Sequence, residues 1–225
     1  MKRLNPIILP LLILLLAKSA HGQYNGFSVS TDLSLLRSFQ KNQQFNAIGN
    51  CIRFTSHITP QDGFYAWLSF YGSKDVYAVA EATAKDPSTQ PQTLSFTNRS
   101  SIRIRNISLG WTHYFVRTMK EENQIFGLYG QAGFGLLFGR VKNLFVDAVD
   151  TAFYSTTLRP GSSGFKRLTL DLGLGAEKNI GGEVFLFLET RCYVPASSYE
   201  NPYLFVNKNA PLTGTLHLGL RVLFD

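Results

Sequence analysis

The segment 168-LTLDLGLGA-176 places leucine at every second position and sets Thr169, Asp171, Gly173 and Gly175 between the leucines. An apolar and polar alternation with a period of two predicts a β-strand that has one apolar face and one polar face. A helix would instead repeat its apolar residues every third or fourth position. This segment therefore predicts a strand that lies between two different environments.

The same alternation recurs along the chain between turn-forming residues. Eight strands are predicted, at residues 26–36, 44–56, 64–71, 101–115, 125–138, 166–177, 183–193 and 215–224. Within 101–115 the apolar parity switches between Ile104 and Ile107, which predicts a β-bulge near Arg105 and Asn106.

The connections between these strands alternate in length. Short, turn-like segments lie at 57–63, 116–124 and 178–182, and a further short one at 37–43, whereas long polar stretches occupy 72–100, 139–165 and 194–214. Transmembrane barrels have short periplasmic turns and longer extracellular loops. The pattern predicts an all-β fold, an eight-stranded antiparallel up-and-down transmembrane β-barrel with both termini in the periplasm and the long loops outside.

A soluble, lipocalin-like barrel would show the same alternation with its apolar face inside. Three features favour lipid outside: the loop asymmetry, the many glycines on the polar face, and the amphipathic last strand. Glycine suits a crowded barrel interior better than a solvated surface.

The first residues have the pattern of a secretory signal peptide. Lys2 and Arg3 precede the apolar run 6–17, and small residues flank a cleavage point after Gly22. The run is shorter than the roughly 20 residues that a membrane-spanning helix needs. We predict a cleaved signal peptide at 1–22 and one barrel domain at 23–225. The remaining chain has no block of Lys and Arg, which argues against nucleic acid as a partner.

In its signal peptide, strand spacing, loop asymmetry and closing segment 216–224, the chain resembles the small outer-membrane barrels of the OmpA and OmpX type and the porin-like barrel families close to them. The resemblance implies a place in the outer membrane of a Gram-negative-type bacterium, with membrane lipid as a partner. It also implies handling by the barrel-assembly machinery, which is thought to read the terminal aromatic residue, here Phe224 followed by Asp225.

If leucine and phenylalanine face lipid, the opposite parity places charged residues inside the barrel. The predicted interior network consists of Asp32, Arg53, Asp171, Glu189, Arg191, His217 and Arg221. Acids and bases would then meet across adjacent strands, as buried charges require. Asp171 is expected to pair with Arg191 or Arg221. We interpret the network as structural, because an eight-stranded interior is just wide enough to be filled by side chains; an ion path or a catalytic cluster is the alternative.

The histidines give little support for an enzyme. His57 lies in a predicted turn, His113 near the periplasmic end, and His217 has no serine at the next position of its face. We predict no catalytic residues, cofactor or metal site.

Aromatic and cysteine positions give two further expectations. The aromatic residues near strand ends predict an interfacial girdle; they are Phe64, Trp67, Phe70, Trp111, Tyr114 and Phe115. Cys51 points inward and Cys192 outward on strands that are not neighbours, so we predict that they are not bonded to each other.

The predicted function is a structural or loop-mediated binding role in the envelope, with the external ligand left open. A narrow channel is the first alternative. A lipid-modifying enzyme is the second.

Overall fold

The computed structural model describes residues 26–39, 44–116, 126–196 and 212–224, and the predicted signal peptide lies outside them. The strands are β1 Phe27–Ser38, β2 Asn46–His57, β3 Asp62–Ser73, β4 Val76–Ala84, β5 Thr93–Val116, β6 Phe126–Phe145, β7 Tyr154–Thr156, β8 Gly161–Gly181, β9 Val184–Pro195 and β10 Thr213–Phe224. None of the described residues belongs to a helix that is long and apolar enough to cross a membrane.

Eight of these strands close into a barrel. The barrel strands are β1, β2, β3, β5, β6, β8, β9 and β10, each antiparallel to the next. The last strand closes on the first, from Phe27 opposite Phe224 to Ser38 opposite Thr213. The predicted eight-stranded antiparallel up-and-down barrel is confirmed, and each predicted strand lies on one barrel strand.

The alternation puts the apolar residues on the outside of the wall. On β8, Leu172 and Leu174 are 44% and 62% exposed, whereas Asp171, next to Leu172 in the strand, is fully buried. Other barrel strands repeat this arrangement, with outward Leu33, Leu109 and Phe134 each about two thirds exposed. A soluble barrel would hold these side chains in its core, so the lipocalin-like arrangement is excluded.

One side of the wall rises above the rest of the barrel. β5 pairs with β3 along residues 103–113 and then with β4 along residues 93–100. β4 in turn pairs with the short β7, and the hairpin of β6 and β8 rises beside β5 as far as Asn143 and Gly161. We call this raised part, made of β4, β7 and the upper ends of β5, β6 and β8, the extended wall.

The extended wall occupies stretches 72–100 and 139–165, which the sequence had marked only as long and polar. β4 reads Val-Tyr-Ala-Val-Ala-Glu-Ala-Thr-Ala, and only Ala82 of these residues is buried. One face of the strand is partly buried and the other is exposed, but both faces carry apolar residues, so the sequence shows no apolar and polar alternation that would reveal the strand.

The bulge predicted near Arg105 and Asn106 is wrong. β5 pairs with β3 and β6 through this region without a register shift. Ile102 and Ile104 are 3% and 2% exposed and point inward. They belong to an apolar cluster that fills this end of the barrel, together with Leu36, Phe45, Ala47, Tyr71, Leu137, Val141 and Phe165. The same alternate positions point inward along the whole strand, but they are apolar at this end of the barrel and polar farther along.

At the opposite end of the barrel the connections described are short. β8 and β9 are joined through Gly181 and Gly182, whose φ angles of 145° and 55° lie where side chains are strained. The turn between β2 and β3 is held by Thr59, whose Oγ1 accepts a hydrogen bond from the Asp62 amide at 2.9 Å.

The two cysteines are free, as predicted. Cys51 is buried inside the barrel, and Cys192 lies half-buried on the outer face. Their strands, β2 and β9, are separated by β1 and β10.

The central position of Leu172 makes it a test of which side of the wall faces lipid. On the outward face of β8 it lies midway between Lys166 and Lys178, with apolar residues on both sides. We expect Leu172→Arg to lower the free energy of unfolding by roughly 2–4 kcal/mol, since the new charge must enter the hydrocarbon. Leu172→Ala should have a mild effect, because lipid fills the vacated space. Urea unfolding in lipid vesicles measures both, and a severe loss for Leu172→Ala would contradict a lipid-facing position.

Candidate functional site in the barrel interior

The seven residues predicted for the interior all point into the barrel, and none is more than 7% exposed. They are contributed by β1, β2, β8, β9 and β10, which are consecutive around the wall. Arg53, Glu189 and Arg191 form a central group, and Arg221 lies nearer the short turns. Asp171 has partners of its own, and Asp32 contacts His217.

Glu189 on β9 is the centre of the network. Its Oε2 accepts hydrogen bonds from Nη1 of Arg53 at 2.5 Å and from the Tyr129 hydroxyl at 2.8 Å. Its Oε1 accepts from Nε and Nη2 of Arg191 at 3.1 and 2.9 Å. Arg191 also donates to Oε1 of Gln131. One carboxylate therefore compensates two guanidinium groups, and its lone pairs are fully used, as burial of these charges requires.

The indole of Trp67 shares the two cations with Glu189. The guanidinium carbon of Arg191 lies 3.7 Å from the centroid of the Trp67 ring, and that of Arg53 lies 5.2 Å from it. His217 meets the same ring edge-on at 5.1 Å. Cations over an aromatic face are attracted by its quadrupole, more strongly where water is excluded. Trp67 thus adds a further attraction for the two guanidinium groups that share one carboxylate.

Two members of the predicted aromatic girdle therefore lie elsewhere. Trp67 and Tyr114 are buried inside the barrel at 0% and 4% exposure. Inward and outward positions alternate along a strand, and Trp67 and Tyr114 both occupy inward positions. The other four members point outward and are exposed: Phe64, Phe70, Trp111 and Phe115.

A second ion pair lies nearer the short turns. Arg221 donates from Nε and Nη2 to the two carboxylate oxygens of Glu177 at 2.9 and 2.6 Å. The guanidinium carbon stacks 4.0 Å from the centroid of Phe185. Glu177 was missing from the predicted network, although the alternation that starts at Leu168 places it on the same face as Asp171.

Asp171 does not pair with an arginine, contrary to the expectation. Its Oδ2 accepts from the Asn106 amide at 3.1 Å and its Oδ1 from the Thr169 hydroxyl at 2.6 Å. Arg191 instead reaches Gln131 across Gly173, which lies between them in the same row of the sheet and has no side chain.

Asp32, Cys51 and His217 form a third cluster on three adjacent strands. Nδ1 of His217 lies 3.1 Å from Oδ2 of Asp32, and the Cys51 thiol donates to that same oxygen. The other ring nitrogen of His217 lies 2.6 Å from the Thr215 hydroxyl. The donor atoms of the three residues lie within 4.8 Å of one another, so they are the group among the described residues that could hold a metal ion.

The same cluster contains the residue types of a cysteine nucleophile with a base and an acid. Nucleophilic catalysis needs a substrate to reach the thiol. Cys51 is 1% exposed and His217 is covered by Trp67. The geometry supports hydrogen bonds between strands and offers a substrate no approach through the described part of the wall.

His57 lies in a strand, not in the predicted turn. It ends β2, is 2% exposed, and its Nε2 lies 3.0 Å from the Ser28 hydroxyl. His113 lies on β5 and points to the outside of the wall. Its Nδ1 is 2.8 Å from Oδ1 of Asp62, and the Trp111 indole donates to that oxygen at the same distance.

Comparison with known proteins supports the fold alone. No family profile and no curated protein matches the sequence. The chain is similar to solved outer-membrane barrels: Neisserial surface protein A, at 14% identity over 89% of this chain and 100% of that one, TM-score 0.57; a major outer membrane protein from Thermus thermophilus, at 12% over 89% and 100%, TM-score 0.52; and Ail, the attachment invasion locus protein of Yersinia pestis, at 13% over 89% and 99%, TM-score 0.50. The fold is that of the small outer-membrane barrels of the OmpA and OmpX type.

The central role of Glu189 can be tested by removing its charge. Glu189→Gln leaves Arg53 and Arg191 buried without a carboxylate, and breaking a buried pair in this way costs about 3–5 kcal/mol. We expect the urea midpoint in lipid vesicles to fall accordingly.

Glu183→Gln is the matched control, because Glu183 lies exposed in the turn before β9. A surface substitution of this kind changes stability by no more than about 0.5 kcal/mol. Equal midpoints for the two variants would show that the network does not stabilise the barrel.

Proposed function

We propose that this protein is a closed outer-membrane barrel with a structural and binding role, which holds the extended wall outside the cell and does not conduct. The observation that carries the proposal is the combination of a filled interior with a wall that continues well beyond the apolar belt. Residues 93 to 103 of β5 extend about 34 Å along the strand at the usual 3.4 Å per residue.

The two ends of the barrel support the proposed orientation. Short turns lie at one end and the extended wall at the other, and membrane barrels keep short turns in the periplasm. Both ends of the described chain, at Gly26 and Phe224, lie at the short-turn end, which is consistent with periplasmic termini.

The extended wall offers a surface that could bind a partner. Tyr77, Arg99 and Leu144 form one row across β4, β5 and β6 on the outward face. Tyr77 and Leu144 are 62% and 51% exposed, and Val79 next to them is 76% exposed. Apolar side chains gathered in this way on a solvated surface are typical of an interaction site.

The tip of the extended wall is held by hydrogen bonds. The Ser88 hydroxyl and backbone amide donate to Oδ1 of Asp86 at 2.6 and 2.8 Å. These hydrogen bonds, the hydroxyl's first, lower the pKa of the Asp86 carboxyl below its ordinary value. An ordered tip loses less conformational entropy when a partner binds.

The closing strand supports assembly by the barrel-assembly machinery. β10 alternates outward Leu216, Leu218 and Leu220 with inward polar residues. Phe224 stacks on Phe27 of β1 with ring centroids 4.7 Å apart, so the final aromatic residue lies at the seam where the barrel closes.

A narrow channel is disfavoured by the interior. Trp67, Arg191, Tyr129 and Phe187 are among the largest fully buried side chains, and they lie in the cross-section that an ion would have to pass. The lipid-modifying enzyme has no comparable support among the described residues.

Orientation can be tested with a short epitope inserted at two turns. We expect an epitope between Pro87 and Ser88 to be labelled by antibody on intact cells, because it lies at the tip of the extended wall. The matched epitope between Gly181 and Gly182 should be labelled only after the outer membrane is opened. The reverse pattern would refute the orientation.

Conduction can be tested in planar bilayers. We expect the wild-type protein to give no stable conductance steps, since side chains fill the barrel. Trp67→Ala removes the central ring and should allow steps to appear, at a cost in stability of about 3–5 kcal/mol. Phe134→Ala, on the outward face, serves as the control and should stay silent; a steady wild-type conductance would favour the channel.

A further inference from the structure

Five basic side chains lie together on the outward face of the wall, just beyond the apolar belt. They are Arg103 and Arg105 on β5, Arg140 and Lys142 on β6, and Lys166 on β8, and all five are exposed. We call this set the cationic band. On the outward faces of the other five barrel strands, as far as they are described, the only basic residue is Arg37.

The strand register places these cations side by side. Arg103 lies directly opposite Arg140, and Arg105 and Lys166 flank Phe138 in the next row. Lys142 lies one row higher, between Ser101 and Ser162. Neighbouring strands are about 4.8 Å apart and rows of one face about 7 Å apart, so the five charges occupy a small area.

Among the residues that the structure describes, the band has no acidic partner of its own. β5 and β6 contain no aspartate or glutamate, and the two acids of β8, Asp171 and Glu177, point inside. Arg140 donates to the Ser162 hydroxyl at 3.0 Å, and Lys166 lies over the Phe138 ring at 5.9 Å, so both contacts are to neutral groups. Like charges directly opposite each other destabilise a sheet, which an external anion would relieve.

The residues below the band match a lipid tail. The next row toward the short turns is Ile107, Leu136 and Leu168, and the following one is Leu109, Phe134 and Leu170. These side chains point outward like the cations. The wall thus presents an anion-binding surface directly above an apolar one.

We infer that the cationic band binds the phosphate groups of a phosphorylated glycolipid of the outer leaflet, of the lipid A type, whose acyl chains lie on the apolar rows below. Arginine forms paired, charge-assisted hydrogen bonds with phosphate oxygens, and lysine adds a point charge. A shallow depression lined by Ser101, Arg103, Arg140, Lys142 and Ser162 would receive one phosphate. The inference rests on the proposed function, because it requires the extended wall to lie at the outer leaflet.

The test compares two lipids on purified, refolded protein in neutral phosphatidylcholine nanodiscs. Native mass spectrometry measures how much diphosphorylated lipid A and how much dephosphorylated lipid A the protein retains. We expect retention of the diphosphorylated form to be at least about tenfold greater, since only that form offers charge-assisted bonds. The quadruple variant Arg103→Gln, Arg140→Gln, Lys142→Gln, Lys166→Gln should lose this preference.

The matched control is Arg37→Gln with Lys178→Gln, which removes two outward cations elsewhere on the wall and should keep the preference. Circular dichroism and heat-modifiable gel migration verify that each variant forms a barrel. Equal retention of the two lipids by wild-type protein, or an undiminished preference in the folded quadruple variant, would overturn the inference. Displacement of bound lipid by an equimolar amount of inorganic pyrophosphate would also overturn it, since the band would then recognise free phosphate without a contribution from the acyl chains.

Failure here is distinguishable from failure of the proposed function. The epitope labelling reports which end of the barrel lies outside and does not depend on lipid A. Binding in nanodiscs reports the band alone. An epitope result that inverts the barrel would place the band at the inner leaflet and exclude lipid A whatever the nanodiscs show.

Discussion

A charge enclosed by eight strands must find its compensation within the barrel, because water cannot reach it there in quantity. Moving an unpaired ion from water into such surroundings costs several kcal/mol. The interior meets this constraint with few carboxylates. Glu189 binds two arginines, Trp67 offers its ring face to the same two cations, and Phe185 does the same for Arg221 beside Glu177. Aromatic rings therefore act as charge partners in addition to filling space.

The wall changes its environment along its length without changing its register. In the belt the outward positions are apolar and the inward ones polar. Beyond the belt this reverses, with Ile102 and Ile104 inside and Arg103 and Arg105 outside. The inward and outward positions of a strand alternate in the same way along its whole length. The boundary between lipid and water is therefore set by the residue types that occupy each face. The same reversal lets the upper part of the barrel hold an apolar core of the ordinary soluble kind.

The alternation and the connection lengths were sufficient to predict the eight barrel strands, their order and the inward placement of the seven charged residues. They were insufficient where the two faces of a strand do not differ in residue type or where the polar and apolar faces exchange. β4 carries apolar residues on both its partly buried and its exposed face, and the switch of polarity at Ile104 looks like a bulge when the register is unknown. The pairing of the interior side chains could not be predicted either. The direction in which Arg191 extends depends on Gly173, which leaves room toward Gln131. Trp67 faces inward, and its aromatic character alone does not reveal on which face of the strand it lies.

Two contacts of the interior join residues that are far apart in the chain. Arg53 and Glu189 are separated by 136 positions, and Asp32 and His217 by 185. Contacts of such high sequence separation form late, because a long loop must be closed before they can stabilise anything. Until the last strand meets the first, Arg53 and Asp32 lack these partners, whereas Arg191 and Glu189 already lie two positions apart on β9. Full compensation of the interior charges therefore requires the closed barrel.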